Sequence, residues 1–156
     1  MITEKSESLK VRRKLILRLA KYSDRYDILK LRNHEGTRPY MFNEEVIKVS
    51  EHVDWFARAL FSSDVFIFVA ETDEPAIVGS LVAKKEEDGF WDLSYITHPC
   101  YRGIGVATFM LTNVRKMCKP CRARIKKTNI VSIKTALKAG MEHELTQNGV
   151  VNFVSG

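Results

Sequence analysis

The sequence predicts a single α/β (α+β) domain in which helices flank a mixed, mostly antiparallel central sheet. Residues 65–72 and 77–84 are rich in β-branched and aromatic residues and are separated by Asp73-Glu74-Pro75, which predicts two adjacent antiparallel strands. A third segment of this kind, residues 90–98, follows the turn at residues 86–89 and extends the meander. Beyond Gly105 the apolar residues change to helical spacing, so a helix is expected to cover the sheet.

Length and composition favour one folded unit. The 156 residues are 45% hydrophobic and 28% charged, enough for one core, and we expect residues 1–156 to form one domain with residues 1–12 flexible. The polar N-terminal residues and the lack of a long apolar segment predict no secretory signal and no membrane contact. Three cysteines fit a reducing compartment, so the expected location is cytoplasmic.

The N-terminal third predicts a strand and two helices. Residues 15–19 form a short apolar strand, and Ser23 is the expected N-cap of a helix that ends near Asn33. Ser50 is the expected N-cap of the second helix. Residues 34–48, between these helices, show no clear period and contain Gly36 and Pro39. An irregular connection of this length is more often functional than idle.

The C-terminal third predicts a strand, a helix and a hairpin. Apolar and basic residues alternate over residues 121–126, which is typical of a half-buried strand. Asn129 is the expected N-cap of the next helix, and Gly140 is placed where a C-terminal glycine cap belongs. Asn148-Gly149 is a hairpin turn signal between the last two strands.

Positive charge is concentrated in one segment. Residues 115–138 contain nine Lys or Arg and no Asp or Glu, although the net charge of the whole chain is only +6. This segment is either a solvated face or a surface that neutralises a polyanionic ligand. No nucleic-acid motif or interleaved aromatic residues accompany it, so nucleic acid is not the expected partner.

A strand, a glycine turn and a helix start follow one another around residue 103. Pro99 ends the strand, and Gly103 and Gly105 allow the backbone to approach a ligand closely. Unpaired N–H groups at the start of a helix bind anions, phosphate above all. Thr108 replaces the third glycine of a dinucleotide fingerprint, and the GxxxxGK pattern of ATP-type loops is absent. The turn therefore predicts a phosphate site of another kind.

Two motifs resemble those of the GCN5-related N-acetyltransferases. Arg102-x-x-Gly105-x-Ala107, between a strand and a helix, is similar to the acetyl-CoA loop of that family. The segment from Asn129 to Met141 resembles the family's next motif at the expected distance, and the order of predicted elements over the whole chain is also the family's. The resemblance implies acetyl-CoA as co-substrate, held where the strand ending at Thr97 splays from the Cys121 strand.

The same resemblance implies a set of cofactor-binding residues. Backbone groups of the strand end would pair with pantetheine, the turn would bind the pyrophosphate, and Asn129 would contact the pantetheine arm. For Thr108 the alternative is ordinary hydrogen bonding at a helix start, and Asn129 can serve equally as a helix cap. The implied residues are Ile96, Thr97, Arg102, Gly103, Ile104, Gly105, Val106, Ala107, Thr108 and Asn129.

A narrower resemblance involves the irregular connection. Its Arg-Asn, Glu-His and Trp-Phe pairs are similar to the N-terminal part of family members that acetylate nucleotide-linked amino sugars, including one that acts on a UDP-linked 4-amino-4,6-dideoxy sugar. The resemblance implies that Arg38, Met41 and His52 line the acceptor pocket. In the alternative interpretation Arg38 ties down the loop and His52 is a helix surface residue.

Proton transfer is the point where the sequence departs from the family. Trp91 occupies the position where many members carry a general-base glutamate, and Ala136 that of a general-acid tyrosine. A bulge in the strand would present Asp92 or Ser94 instead, and water relayed by His52 is another route. Tyr95 or water would protonate the thiolate leaving group.

The expected function is therefore acetyl transfer from acetyl-CoA to a primary amine of a UDP- or dTDP-linked amino-deoxy sugar. Two alternatives stay open: acetylation of a protein N-terminus, peptide or other small amine, and a non-catalytic CoA-binding module. The four histidines lack metal-ligand spacing, so no metal is expected. The Cys118-x-x-Cys121 pair follows a helix rather than opening one, which disfavours a redox role. The oligomeric state is left open, with a homodimer as one candidate.

Overall fold

The computed structural model describes residues 14–156, so the expectation for residues 1–12 lies outside the described residues. Within this range, seven strands form one sheet, and α-helices cover it. The strands are β1 (Leu15–Leu19), β2 (Val65–Thr72), β3 (Ile77–Lys85), β4 (Trp91–Thr97), β5 (Cys121–Lys126), β6 (Glu142–Gln147) and β7 (Val150–Ser155). The helices are α1 (Arg25–Asn33), α2 (Val49–Phe61), α3 (Val106–Met117) and α4 (Ile130–Lys138).

The sheet has the order β1-β2-β3-β4-β5-β7-β6, and only the β4–β5 pair is parallel. The predicted mixed, mostly antiparallel sheet is confirmed. β4 and β5 pair only where Trp91 lies opposite Cys121 and Asp92 opposite Arg122. Beyond these residues the strands separate, so the carboxyl-terminal part of β4 has an edge that no strand among residues 14–156 covers. This split is the central feature of the fold.

The core has two parts because successive side chains of a strand point to opposite faces. On β2, Phe68 and Ala70 contribute to the larger cluster, which includes Met110 of α3 and Ala136 of α4. The alternate residues of β2 pack in a smaller cluster with Phe56 of α2. The split in the sheet therefore has α3 and α4 on one face and α1 and α2 on the other.

The strand predictions agree closely with the structure, whereas two predicted caps were wrong. Ser23 lies inside a 3-10 turn that precedes α1, and the N-cap of α1 is Asp24. α2 begins at Val49 after an N-cap at Lys48, so Ser50 is already helical. The Asp24 carboxylate accepts hydrogen bonds from the Arg18 side chain and the Lys21 N–H, whereas no side chain caps α2.

The predicted helix caps and hairpin turn of the C-terminal third agree with the structure. Asn129 caps α4, with its side-chain oxygen accepting a hydrogen bond from the Ser132 N–H at 3.2 Å. Gly140 follows the helix at φ +89°, and Asn148-Gly149 joins β6 and β7 with φ values of +52° and +75°. Among residues 14–156, no helix has the length and apolar character needed to cross a bilayer.

Candidate active site

The glycine turn opens α3 with its backbone exposed to solvent. Gly103 and Gly105 have φ values of +79° and +90°, and a Cβ built on either would meet no atom within 4 Å. The N–H of Phe109 donates to the Gly105 carbonyl at 2.9 Å, so the N–H groups of the three preceding helical residues have no acceptor within the helix. Open space beside free N–H groups at the positive end of a helix suits a phosphate.

A groove of about 310 Å³ extends from this turn along the uncovered edge of β4 and the side of α4. Every residue that the sequence predicted for the cofactor lines it except Ile104, which packs against the larger core cluster. Tyr95 and Met41 also line it, whereas Arg38, His52, Asp92 and Ser94 do not. The structure thus brings the predicted cofactor residues together in one groove. Of the predicted catalytic and acceptor residues, it places some in this groove and the others outside it.

The irregular connection, residues 34–48, crosses the mouth of the split and is attached to both of its sides. On the β4 side, the Arg102 guanidinium donates to the Gly36 carbonyl at 2.8 Å. On the β5 side, the Lys126 ammonium donates to the Pro39 carbonyl at 3.1 Å and pairs with Glu44 at 3.1 Å. Thr37, Tyr40 and Met41 of this connection line the groove, so residues 34–48 form its roof.

Under this roof two threonine hydroxyls lack partners. The side chain of Thr37 is 4% exposed and lines the groove, yet its Oγ1 has no hydrogen-bond partner. The Oγ1 of Thr97, at the end of β4, is also buried without a partner. A buried hydroxyl without a partner is costly unless a ligand satisfies it. Thr37 could not be predicted from the sequence, because a lone threonine in an irregular segment carries no pattern.

Two arginines near the roof lack acidic partners. Arg32 donates to the Asn43 carbonyl, but its Nη1 and the Nε of Arg38 are buried without hydrogen-bond partners. Burial lowers the pKa of Arg32, and the nearby charge of Arg38 lowers it further. No described carboxylate forms an ion pair with either residue. Arg32 of α1 and Arg38 of residues 34–48 thus carry positive charge that no described carboxylate neutralises, although neither residue lines the groove itself.

His52 lies in the interface between α1 and α2, away from the groove. Its Nε2 is 2.7 Å from the Arg25 carbonyl, and its ring packs against Trp55 and Phe56. The residue is 5% exposed, so it is not the helix surface residue of the alternative interpretation either. Burial lowers its pKa, which keeps the imidazole neutral.

Asp92 and Ser94 lie on the α1/α2 face of the sheet, alternating with the buried Leu93. The register between β3 and β4 is continuous, so the bulge considered above is absent from this pairing. Both carboxylate oxygens of Asp92 are engaged, at 2.5 Å with Arg122 and at 2.6 Å with Arg124. This bridge joins β4 to β5 where their pairing ends.

Tyr95 lines the groove on the opposite face, and its hydroxyl donates to the Ser132 carbonyl in the first turn of α4 at 3.0 Å. Burial raises the pKa of its phenol, so Tyr95 is protonated at neutral pH. Ala136, on the same helix, is fully buried. Trp91 stacks on Phe66 with ring centroids 5.4 Å apart and is a packing residue.

The groove is cationic. Its described lining includes Arg102, Lys134 and Lys138 but no Asp or Glu. Among residues 14–156, no group of three His, Cys, Asp or Glu side chains is arranged to hold a metal ion. Cys118 and Cys121 are buried free thiols, and burial raises the pKa of Cys121 to about 11. The arrangement suits an anionic, extended ligand such as the pantetheine and phosphates of acetyl-CoA.

Comparison with known proteins agrees with this geometry. The family model of the acetyltransferase (GNAT) domain matches residues 14–142. No curated protein matches the sequence significantly. Among solved structures, spermidine N-acetyltransferase from Vibrio cholerae, in complex with CoA and spermine, has a TM-score of 0.77 at 16% identity over 90% of this chain and 94% of its own.

Two further structures show the same likeness. The protein yncA from Salmonella typhimurium, with its cofactor acetyl-CoA, has a TM-score of 0.72 at 18% identity over 90% of this chain and 91% of its own. The aminoglycoside acetyltransferase AAC(6')-Ib, with coenzyme A and kanamycin, has a TM-score of 0.74 at 13% identity over 91% and 94%. At these identities the structural likeness establishes the fold alone.

Proposed function

We propose an acceptor substrate for this chain, starting from its family. The chain belongs to the GNAT acetyltransferase family. It is accordingly a transferase of the acyltransferase class, and its acyl donor is acetyl-CoA. We propose that the acceptor is the primary amine of a nucleotide-linked amino-deoxy sugar. When bound, acetyl-CoA supplies the acyl carbon: a C–N bond to the amine forms, the C–S bond breaks, and the amine loses a proton as the thiolate gains one.

The groove residues fit this donor. N–H groups of the turn from Gly103 to Thr108 would hold the pyrophosphate, whereas the Arg102 N–H donates to the Pro99 carbonyl. The uncovered edge of β4 at Ile96 and Thr97 would pair with the amides of pantetheine, and one N–H there would polarise the thioester carbonyl. Asn129, besides capping α4, lines the groove beside the pantetheine path.

The uncompensated charge of Arg32 and Arg38 is the observation that carries the acceptor assignment. Two buried guanidinium nitrogens without partners, next to a roof whose Glu44 is paired with Lys126, favour an anionic acceptor. A polycationic amine such as spermidine would need free carboxylates, and the described lining of the groove has none. A nucleotide diphosphate supplies the missing negative charge.

Thr37, Tyr40 and Met41 form the described lining of the groove under the roof, and we assign them to the acceptor end. The unpartnered hydroxyl of Thr37 would hydrogen-bond to the acceptor, and Met41 keeps the role implied by the resemblance. His52 holds α1 against α2 and has no role in binding the acceptor in this scheme.

Tyr95 is the proposed general acid. It lines the groove, and α4 has Ala136 where many family members carry the general-acid tyrosine; to protonate the thiolate, the Tyr95 hydroxyl would leave the Ser132 carbonyl. Asp92, with both oxygens engaged, holds β4 and β5 together at the base of the split. Ser94 faces away from the groove and has no role in this scheme. The amine proton leaves to water.

The test is thiol release from acetyl-CoA with three acceptors: a UDP-linked 4-amino-4,6-dideoxy sugar, a peptide with a free N-terminus, and spermidine. We expect the highest kcat/KM with the nucleotide sugar, and a loss of about tenfold or more in Arg38→Gln but not in the exposed control Arg58→Gln. Preference for the peptide or spermidine would overturn the acceptor assignment. Acetyl-CoA binding with no turnover of any acceptor would instead favour a non-catalytic CoA-binding module.

A further inference from the structure

Two lysines on α4 have no assigned partner. Lys134 and Lys138 both line the groove, and their spacing of four residues places them on one face of the helix. No described carboxylate forms an ion pair with either ammonium. Like charges at this spacing repel and weaken a helix. The pair is therefore a cost to the protein unless an anion binds between them.

Few carboxylates surround the pair: β6, which packs against α4, carries Glu142 and Glu144, but neither lines the groove. α4 contains no Asp or Glu, and neither does α3, which packs beside it. The described lining of the groove is also free of acids. The cationic segment noted in the sequence thus contributes two of its nine basic residues, Lys134 and Lys138, to the groove.

These lysines are distinct from the glycine turn. The turn presents backbone N–H groups at the start of α3, whereas Lys134 and Lys138 present flexible ammonium groups from the side of α4. The groove consequently has two cationic regions, and an ideal ligand has two separate anionic groups. Coenzyme A has two: the pyrophosphate and a phosphate monoester on the 3′ position of its ribose.

We propose that Lys134 and Lys138 form a second anion subsite, which recognises the 3′-phosphate of coenzyme A. This inference rests on the proposed use of acetyl-CoA, but not on the identity of the acceptor. A phosphate monoester carries up to two negative charges and has free oxygens on several sides. Two ammonium groups, each a mobile donor without fixed geometry, match it better than they match a carboxylate.

The subsite gives the protein a means to distinguish acetyl-CoA from a donor that lacks the 3′-phosphate. Two partly exposed charge pairs of this kind correspond to about a tenfold difference in affinity. Because the pair is accessible to solvent, that difference should shrink as the salt concentration rises.

The experiment compares calorimetric binding of acetyl-CoA and acetyl-3′-dephospho-CoA to the wild type, to Lys134→Gln/Lys138→Gln, and to a control. The control, Lys30→Gln/Lys116→Gln, removes the same charge from exposed lysines outside the groove. We expect the wild type and the control to bind acetyl-CoA about tenfold more tightly than the dephospho form, and the α4 variant to bind both equally. Thermal unfolding should show the α4 variant to be at least as stable as the wild type.

Three results would overturn the subsite. A wild type that does not distinguish the two ligands contradicts it directly. An equal loss for both ligands in the α4 variant would assign the lysines to the pyrophosphate instead. A wild type that binds neither ligand would refute the subsite and the acetyl-CoA assignment together. Tight binding of acetyl-CoA without turnover of an acceptor would bear on the proposed acceptor alone.

Discussion

Substitution of Gly105 tests the phosphate turn and can be worked through from the backbone. Its φ of +90° and ψ of 12° lie in the left-handed region, and a Cβ there would meet no atom within 4 Å. Gly105→Ala therefore costs backbone strain of about 1–2 kcal/mol without a clash. For a chain of this size that lowers Tm by about 2–8 °C.

A charged side chain adds a second effect. Gly105→Gln and Gly105→Glu share the strain and nearly the same shape, so the comparison isolates one negative charge. At an effective dielectric constant near 20, a carboxylate about 6 Å from one phosphate charge raises the free energy of binding by about 3 kcal/mol. That is a loss of about 100-fold in acetyl-CoA affinity relative to Gln.

The assay is calorimetric titration of acetyl-CoA into the three variants, with thermal unfolding of each as the control for folding. We expect similar Tm values in Ala, Gln and Glu variants, and an affinity that falls steeply only in the Glu variant. Equal acetyl-CoA affinity in Gln and Glu variants would show that the pyrophosphate binds elsewhere, and the assignment of the turn would be wrong.

Three further changes probe other parts of the site. Tyr95→Phe should lower kcat by about 100-fold, as loss of a general acid does, with little change in acetyl-CoA binding; an unchanged kcat excludes the role. Thr37→Val should leave Tm unchanged or higher, because it removes an unpartnered buried hydroxyl, while lowering kcat/KM for the acceptor about tenfold; a lower Tm with unchanged kinetics would indicate a structural role. The hydrogen bond from Arg18 lowers the pKa of Asp24 in the folded protein. The Asp24 carboxylate therefore makes its full contribution to the free energy of unfolding above the unfolded pKa of about 3.9, and this contribution is lost as the pH falls through the folded pKa. In urea unfolding, Asp24→Asn should thus lose less free energy of unfolding on acidification than the wild type does. Equal losses in the two proteins would contradict this.

The parts of this molecule that the sequence could predict are those set by local pattern. The strands at residues 65–72 and 121–126 were predicted with the bounds that the structure has, because side-chain alternation and β-branched content act within a few residues. The glycine turn was predicted for the same reason. Both features are local, and the turn lies at the cofactor end of the groove.

The remaining parts depend on contacts between distant residues. The Asp24 carboxylate that precedes α1 is held by Arg18, which also pairs with Glu71 on β2, and no local signal near Ser23 predicts this. The burial of His52 and the placement of Thr37 under the roof depend on how residues 34–48 cross the split. The sequence therefore could not predict the acceptor end as it predicted the turn.

The most direct test of the central claim is the effect of the nucleotide on acetyl transfer. The measurement is kcat/KM, at saturating acetyl-CoA, for a UDP-linked 4-amino-4,6-dideoxy sugar and for the same amino sugar without UDP. The unpartnered guanidinium nitrogens of Arg32 and Arg38 predict a preference for the UDP-linked sugar of about 100-fold or more, which falls sharply in Arg38→Gln. Equal rates for the two sugars would contradict the claim that this chain acetylates a nucleotide-linked amine.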